Sequence, residues 1–403
     1  MMNAISACGS EKKDTSWLVK VILFYSMSLL LALVLTFQMG PAVAETNPVD
    51  STQQPVSIAV IFSLTGIAAR HNQPVVEMVI AAVGRVNESG GVLGRPIKLL
   101  ILDNKSTSIG ALEAAHEAVA AKVDAVIGAH WSSHSLAMAP VLQKAGIPMI
   151  TPTSTNPEVT FGRDYVFRVC FGDDMQGKAM AKFARDELKI KTVSILANVD
   201  EHYSVDLAAY FRTEFLHLGG GVVLDAVYRG DSADFSEIID ELLKYRPDAV
   251  YIPGYTRDTA LFMKQARKKG VKALFLGGDG WDLIGTLIDD EIEGSYQTVL
   301  WHPDMPYPEA QVIREMYREM SDNPLWNLTA PLGYDAIMVL VDAINRAGSF
   351  DRKKIRDALA KTHDFRGAAG PIAMDENGNP QNKEITIVKF VGGESQYITA
   401  VQP

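Results

Sequence analysis

The chain has 403 residues, 47% of them apolar and 21% charged, a balance that supports a large buried core and excludes both wholesale disorder and a polytopic membrane protein. The length allows two or three domains of about 100 to 200 residues each and rules out a small scaffold stapled by disulfides. A total of 38 Lys and Arg against 48 Asp and Glu gives a net charge of −10, which argues against nucleic-acid binding because phosphate contacts need clustered cations.

Lys12, Lys13 and Lys20 precede an apolar run over 21–37, and Pro41-Ala42-Val43-Ala44-Glu45 follows with the small-x-small pattern of an export cleavage site. Residues 1–44 therefore read as a signal peptide cut after Ala44; the competing reading is an uncleaved anchor, since the run approaches the shortest spanning helix. Cys8 precedes the apolar run and no Cys lies near the cleavage site, so a lipid-attached cysteine is not supported. Cys170 is then the one remaining cysteine, which excludes an internal disulfide, and between Val169 and Phe171 it reads as a buried structural thiol. Residues 45–55 are polar and Pro-bearing, a flexible leader.

From residue 56 onward strands and helices alternate. An apolar run at 56–62 predicts a strand, and 74–88 predicts a helix with Pro74 in its first turn and Gly90-Gly91 past its end. Strands follow at 97–103, 124–128 and 148–150, separated by helices at 111–122 and 135–145. A second series has strands near 165–169, 192–197, 222–228, 248–252 and 273–277, interleaved with helices of about 10 to 15 residues. Helices at 307–320, 329–347 and 352–361 come next, then a turn at Asp375-Glu376-Asn377-Gly378 and a strand at 385–391. Helical crossovers imply parallel sheets covered on both faces. One open sheet of this many strands is unusual, so the fold class is α/β with two doubly wound parallel-sheet lobes.

Ligands of such sheets bind beyond the carboxyl ends of the strands. The loops there are 63–66, 129–133, 151–155, 198–203, 254–256 and 278–281, rich in hydroxyls, aromatics and acids. No phosphate loop, dinucleotide fingerprint, nucleophile elbow or C-x-x-C is present. His116-Glu117 begins like a zinc-protease motif, but Ala120 stands where the second histidine would be. His130 and His134 have the i, i+4 spacing of metal ligands, yet spacing fixes no third ligand, so no metal or other cofactor is assigned. No set of residues supplies nucleophile, base and oxyanion site together, so the chain is not read as an enzyme.

Ile127-Gly128-Ala129-His130-Trp131-Ser132-Ser133, the run 147–158, Phe167-Arg168 with Gln176-Gly177, the turn 87–96 and the run 248–254 together resemble the type I periplasmic binding proteins of the leucine/isoleucine/valine-binding class. The resemblance covers about residue 55 to the C-terminus. It implies an exported, periplasmic, monomeric receptor whose lobes, joined by a three-strand hinge, close around a small ligand and deliver it to the membrane subunits of an ABC permease. By the same resemblance the lobes are 56–171 with 299–370 and 172–298 with 371–403, the crossings falling near Phe171, Thr298 and Gly370.

The resemblance carries the contacts of an α-amino acid onto particular residues. Ser132, with its N–H, and Thr155 match the carboxylate contacts, and neutral donors at a helix start suit a carboxylate. The Thr153 carbonyl, the Thr155 hydroxyl and Asp279, with Tyr255 beside them, match the ammonium contacts. Asp279 stands where a Glu is more usual. Trp131, Tyr203 and Trp281 are the candidate specificity residues, His71 lies where an aromatic lid residue is common and so opens the site to a polar or larger ligand, and Asp173 matches a position near the hinge. The competing readings are helix capping or turn formation for Ser132, Thr153, Thr155 and Asp173, a solvated turn for Asp279, and core packing for the aromatics. The ligand expected is an amino acid, branched-chain or otherwise apolar; an amide or aromatic acid, and a sensor signalling to a membrane partner, remain as alternatives.

Overall fold

The computed structural model describes residues 54–320 and 327–403. The export segment at 1–44, Cys8 and all but the end of the leader lie outside the described residues.

The apolar run Val56–Phe62 forms β1, buried along almost its whole length. It lies inside an all-parallel sheet with β2 (Ile97–Asp103), β3 (Ala125–Gly128), β4 (Met149–Thr151) and β5 (Val166–Arg168), in the order β2-β1-β3-β4-β5. Sequence expectation put residues 165–169 in the second series. Instead β5 pairs with β4, Met149 opposite Val166, because an apolar run carries no mark of which strand it will pair with.

The second sheet has β6 (Thr192–Asn198), β7 (Gly221–Tyr228), β8 (Ala249–Ile252), β9 (Leu274–Gly277) and β10 (Tyr296–Val299), joined by an antiparallel pair, β13 (Ile385–Val391) and β14 (Glu394–Val401). Its order is β14-β13-β10-β9-β8-β6-β7, so its parallel part repeats the order of the first sheet. In both sheets the order reverses beside the first strand, between β1 and β3 and between β6 and β8, and such switch points leave a crevice beyond the strand ends. Strands β10 and β14 were not foreseen. The first is four residues long, and the second alternates exposed and half-buried positions along an edge.

Helix α1 (Ala69–Glu88) starts five residues before Pro74, which sits inside it rather than in its first turn. The buried side chain of Asn72 holds that added turn, accepting the Ser63 N–H at 3.0 Å and donating to the Ala68 carbonyl at 2.9 Å. Helix α2 (Ser108–Ala120) is capped by the Thr107 hydroxyl. Helix α3 (Ser132–Ala145) also begins early, by three residues, which moves Ser132 from a loop into a first helical turn. Helices α4 (Asp173–Asp186), α5 (His202–His217), α6 (Ser236–Tyr245) and α7 (Thr256–Lys268) pack on the second sheet. After β10 the chain forms α8 (Ala310–Met320), α9 (Pro331–Ala347) and α10 (Arg352–Ala360), with α9 lying against α1. A short ribbon, β11 (Phe365–Gly367) and β12 (Gly370–Ile372), follows. The buried Asp335 of α9 accepts the Ala368 and Ala369 N–H groups at its turn. Cys170 is fully buried and its thiol is pushed up to about 12 by burial, so it is an inert packing residue. Among the described residues no helix is long and apolar enough to cross a membrane.

Candidate functional site

Loops from both sheets meet around a cavity of about 130 Å³. That is smaller than the roughly 300–1,000 Å³ of drug-sized ligand pockets, and it suits one small metabolite.

The first sheet contributes a neutral wall. Strand β3 ends at Gly128, whose φ of +140° and approach to the Ile61 carbonyl, 2.2 Å from where a Cβ would stand, admit only glycine. The chain then turns through Ala129, His130 and Trp131 into α3. Hydroxyls lace this turn to the loop after β4: Thr151 donates to the Ala129 carbonyl at 2.8 Å, Thr153 to the His130 carbonyl at 3.1 Å, and Ser135 and Ser154 meet at 2.7 Å. Behind them Arg168, fully buried, donates to the carbonyls of Ser154 at 3.0 Å and Asn156 at 2.6 Å. The Thr153 hydroxyl is thus spent on a carbonyl and caps no helix. The residue ahead of α3 is Trp131, which makes no side-chain cap. Ser132, in the first turn, keeps its N–H free of intrahelical bonding and meets the Tyr255 hydroxyl, while its own hydroxyl accepts the Asn156 N–H at 3.2 Å.

The second sheet contributes an acidic and phenolic wall. Asp279, 8% exposed, follows β9, and its Oδ1 accepts from Tyr203 at 3.0 Å and from Gln176 at 2.8 Å. The Gln176 amide also donates to Asp173 at 2.8 Å and accepts from the Thr298 hydroxyl at 2.7 Å. One side chain therefore ties α4, β10 and the loop after β9. Gly280 permits this closeness, since a Cβ there would lie 2.7 Å from the Gly254 carbonyl. Burial pushes Asp279 up to about 6 despite its two donors. Asp173 is raised well above the ordinary range, first by burial and then by the charge of Asp279. Asp173 is the first residue of α4, makes no cap, and sits behind the cavity wall rather than in it.

Rings bridge the two walls. Tyr203 stacks on Tyr255 (5.1 Å, 16°), Tyr255 on Trp131 (4.2 Å, 9°), and Trp131 on His134 (5.5 Å, 25°). Polar contacts cross as well, from Asn156 to Asp206 at 2.6 Å and from Arg70 to Thr286 at 2.9 Å. His71 approaches Asp282 at 3.8 Å.

Of the sequence candidates, His71, Trp131, Ser132, Thr153, Thr155, Tyr203, Tyr255 and Asp279 all line the cavity. Trp281 does not: its indole donates to the Ile252 carbonyl at 3.0 Å and its ring lies in the core of the second sheet. The short 3₁₀ turn Asp279–Trp281 sends the tryptophan inward and leaves Asp279 and Asp282 toward the cleft. Sequence reasoning missed Asp282, Glu201, Asp258 and Gln176. Spacing held a signal for two of them, Asp282 three residues after Asp279 and Gln176 one helical turn after Asp173. Glu201 is raised to about 7 and Asp258 to about 6, both chiefly by burial. His130 lines the cavity while His134 packs beneath Trp131, its Nδ1 3.3 Å from the Asn104 amide. Burial lowers both rings to about 4, so they are neutral at pH 7. Among the described residues no three His, Cys, Asp or Glu side chains are placed to hold a metal ion.

Two α/β sheets of the same strand order, with a small-molecule cavity between their strand-end loops, define a two-lobed solute-binding protein. The chain belongs to the periplasmic binding protein family, whose pattern matches residues 55–394, and within it to the type I, branched-chain amino acid ABC class. The family is made up of solute-binding proteins. A leucine-, isoleucine-, valine-, threonine- and alanine-binding protein of Pseudomonas aeruginosa is 28% identical over 341 residues, covering 83% of this chain and 90% of that one. The crystal structure of a leucine-binding protein from Thermotoga maritima is 39% identical with a TM-score of 0.82, covering 86% of this chain and 99% of that one. A branched-chain amino acid transporter substrate-binding protein of Streptococcus pneumoniae, solved with isoleucine, is 26% identical with a TM-score of 0.82, covering 87% and 100%.

Proposed function

We propose that this protein is an exported receptor that closes two lobes, 56–171 with 299–370 and 172–298 with 371–403, around one α-amino acid and presents it to an ABC permease. The observation that carries the reading is the pairing of opposite chemistries in one cavity. Ser132 at the start of α3 and Thr155 after β4 line the same cavity as the carboxylate of Asp279. The first set suits a carboxylate without a counter-charge, and the second suits an ammonium. In this reading the carbonyl of Thr153, another lining residue, is a further acceptor for the ammonium. The relatives' names agree, since those proteins bind leucine, isoleucine and valine. Closure on the ligand would give a permease a shape to recognise, provided the ligand binds the closed state more tightly than the open one.

A thermal-shift screen tests this on protein unfolded and refolded to strip bound ligand. Ligand at 1,000 times its dissociation constant adds about 4 kcal/mol of stability, a shift of several degrees. The expected result is a shift with α-amino acids and none with the matching amines or carboxylic acids alone. A shift with aromatic or aliphatic acids that lack an amine, and none with amino acids, overturns the reading.

A further inference from the structure

Trp131 and Tyr255 stand at the same place in the two halves of the site. Trp131 follows β3 and precedes α3, Tyr255 follows β8 and precedes α7, and β3 and β8 are each the strand just past the order reversal of their sheet. The two rings meet face to face across the cleft, their centroids 4.2 Å apart and their planes 9° from parallel. At that distance the faces are in van der Waals contact, and no ligand group fits between them.

Each ring has a second neighbour that fixes it. Trp131 also stacks on His134, which is 2% exposed and has its Nδ1 3.3 Å from the Asn104 amide. Tyr255 also stacks on the buried Tyr203, whose hydroxyl donates to Asp279 and accepts the Gly280 N–H at 2.9 Å. Turning either ring therefore breaks two stacks. The polar contacts from Asn156 to Asp206 and from Arg70 to Thr286 hold the walls at this spacing.

What remains is the cavity of about 130 Å³. A cavity of about 150 Å³ holds one benzene, a molecule with as many non-hydrogen atoms as alanine; leucine has three more. A longer apolar chain has two ways out of the space, and both are unfavourable. Parting the rings gives up stacked contacts that a smaller ligand keeps. Turning toward Glu201, Arg257 and Asp258, the charged and less buried part of the lining, strips water from charges without replacing it.

We infer that the stacked Trp131 and Tyr255 rings set a size limit, and that the ligand is an α-amino acid whose side chain has at most about two non-hydrogen atoms. Glycine, alanine and serine meet that limit; leucine, isoleucine and phenylalanine exceed it. This rests on the amino-acid reading above and narrows it. A single methylene in a filled pocket discriminates about 10- to 200-fold, so the gap between alanine and leucine should be wide.

The test is isothermal calorimetry on the refolded protein with glycine, alanine and serine against leucine, isoleucine and phenylalanine. The tightest small ligand is expected to bind at least about 100-fold more tightly than any of the large ones. Trp131→Ala removes one face of the stack and should narrow that gap at least about tenfold by admitting the larger chains. Should that variant fail to fold, Tyr255→Ala removes the other face and is judged in the same way. A smaller wild-type gap, or one in the opposite direction, overturns the inference and leaves the amino-acid reading standing. A gap that the variant leaves unchanged overturns the role of the stack. If none of these ligands binds, the inference falls, and the amino-acid reading falls with it only if every other α-amino acid fails as well.

Discussion

The two walls of the cleft come from sheets of the same strand order and are chemically opposite. The loops after β1, β3 and β4 present hydroxyls, backbone N–H groups and histidines, braced by a buried Arg168 that never reaches the cavity. The loops and helix starts after β6, β8 and β9 present mainly carboxylates and phenols, with Arg257 beside Asp258. One topology therefore supports both an anion-binding and a cation-binding surface, because the strand ends supply position and the loop residues supply charge. The hinge side shows the same division. Gln176 joins Asp173, Asp279 and Thr298 on the second wall, whereas the first wall is tied together by Ser and Thr hydroxyls bonded to carbonyls.

The sharpest way to break this comparison is Asp279→Asn. The amide oxygen can still accept from Tyr203 and Gln176, so the variant should fold, but the charge opposite the ligand's ammonium is gone. Losing a buried charge pair of this kind costs about 2–5 kcal/mol, so calorimetry should show amino-acid affinity falling by roughly 30-fold to several thousand-fold. Stability of the ligand-free protein should move the other way. Asp279 is raised from 3.8 to about 6, so the folded state binds more protons than the unfolded state between those values. Stability is therefore lost as pH rises through that window, by an amount on the order of 3 kcal/mol above pH 6. Removing the charge should raise the melting temperature at pH 7 by a few degrees. A variant that binds amino acids as well as the wild type would show that the second wall does not hold the ammonium.

A smaller effect is expected from pH. Because Asp279 must be ionised to hold an ammonium, the dissociation constant should rise about tenfold for each unit below about pH 6 and change little between pH 7 and 8.5. Glu201, near 7, and Asp258, near 6, titrate in the same cavity. The discriminating measurement is the profile of Asp279→Asn, which should flatten; a slope that survives the substitution belongs to those two acids.

The smallest effect falls on the first wall. Ser132→Ala removes one hydroxyl but leaves the backbone N–H at the start of α3, so affinity should drop only about 3- to 10-fold, the worth of a neutral hydrogen bond. A larger loss from Ser132→Ala than from Asp279→Asn would reverse the assignment of the two walls.

Much of the site was legible because hydrophobic patterning located the strand ends and the family resemblance singled out Ser132, Thr155, Tyr203, Tyr255 and Asp279 in the loops and first helical turns just beyond them. Gln176 was only partly legible: its place one helical turn after Asp173 was a signal, but its importance comes from a bond to a residue 103 positions away, which no local spacing shows. Asp282 depends in the same way on Asn327, 45 positions on. Trp281 misled because an aromatic next to a cleft acid looks like a specificity residue, whereas the turn direction sends its ring to the core.

The alternation of apolar runs by itself determined the two α/β sheets and the loops that would carry function, because burial on both faces of a parallel strand demands an unbroken apolar stretch and each crossover demands an amphipathic helix. Only the tertiary structure decided that β5 closes the first sheet, that Gln176 bridges two buried carboxylates, and that Asp282 lines the cavity while Trp281 turns into the core. Pairing and facing are relations between residues far apart in the chain, and they are set by packing in three dimensions rather than by any local propensity.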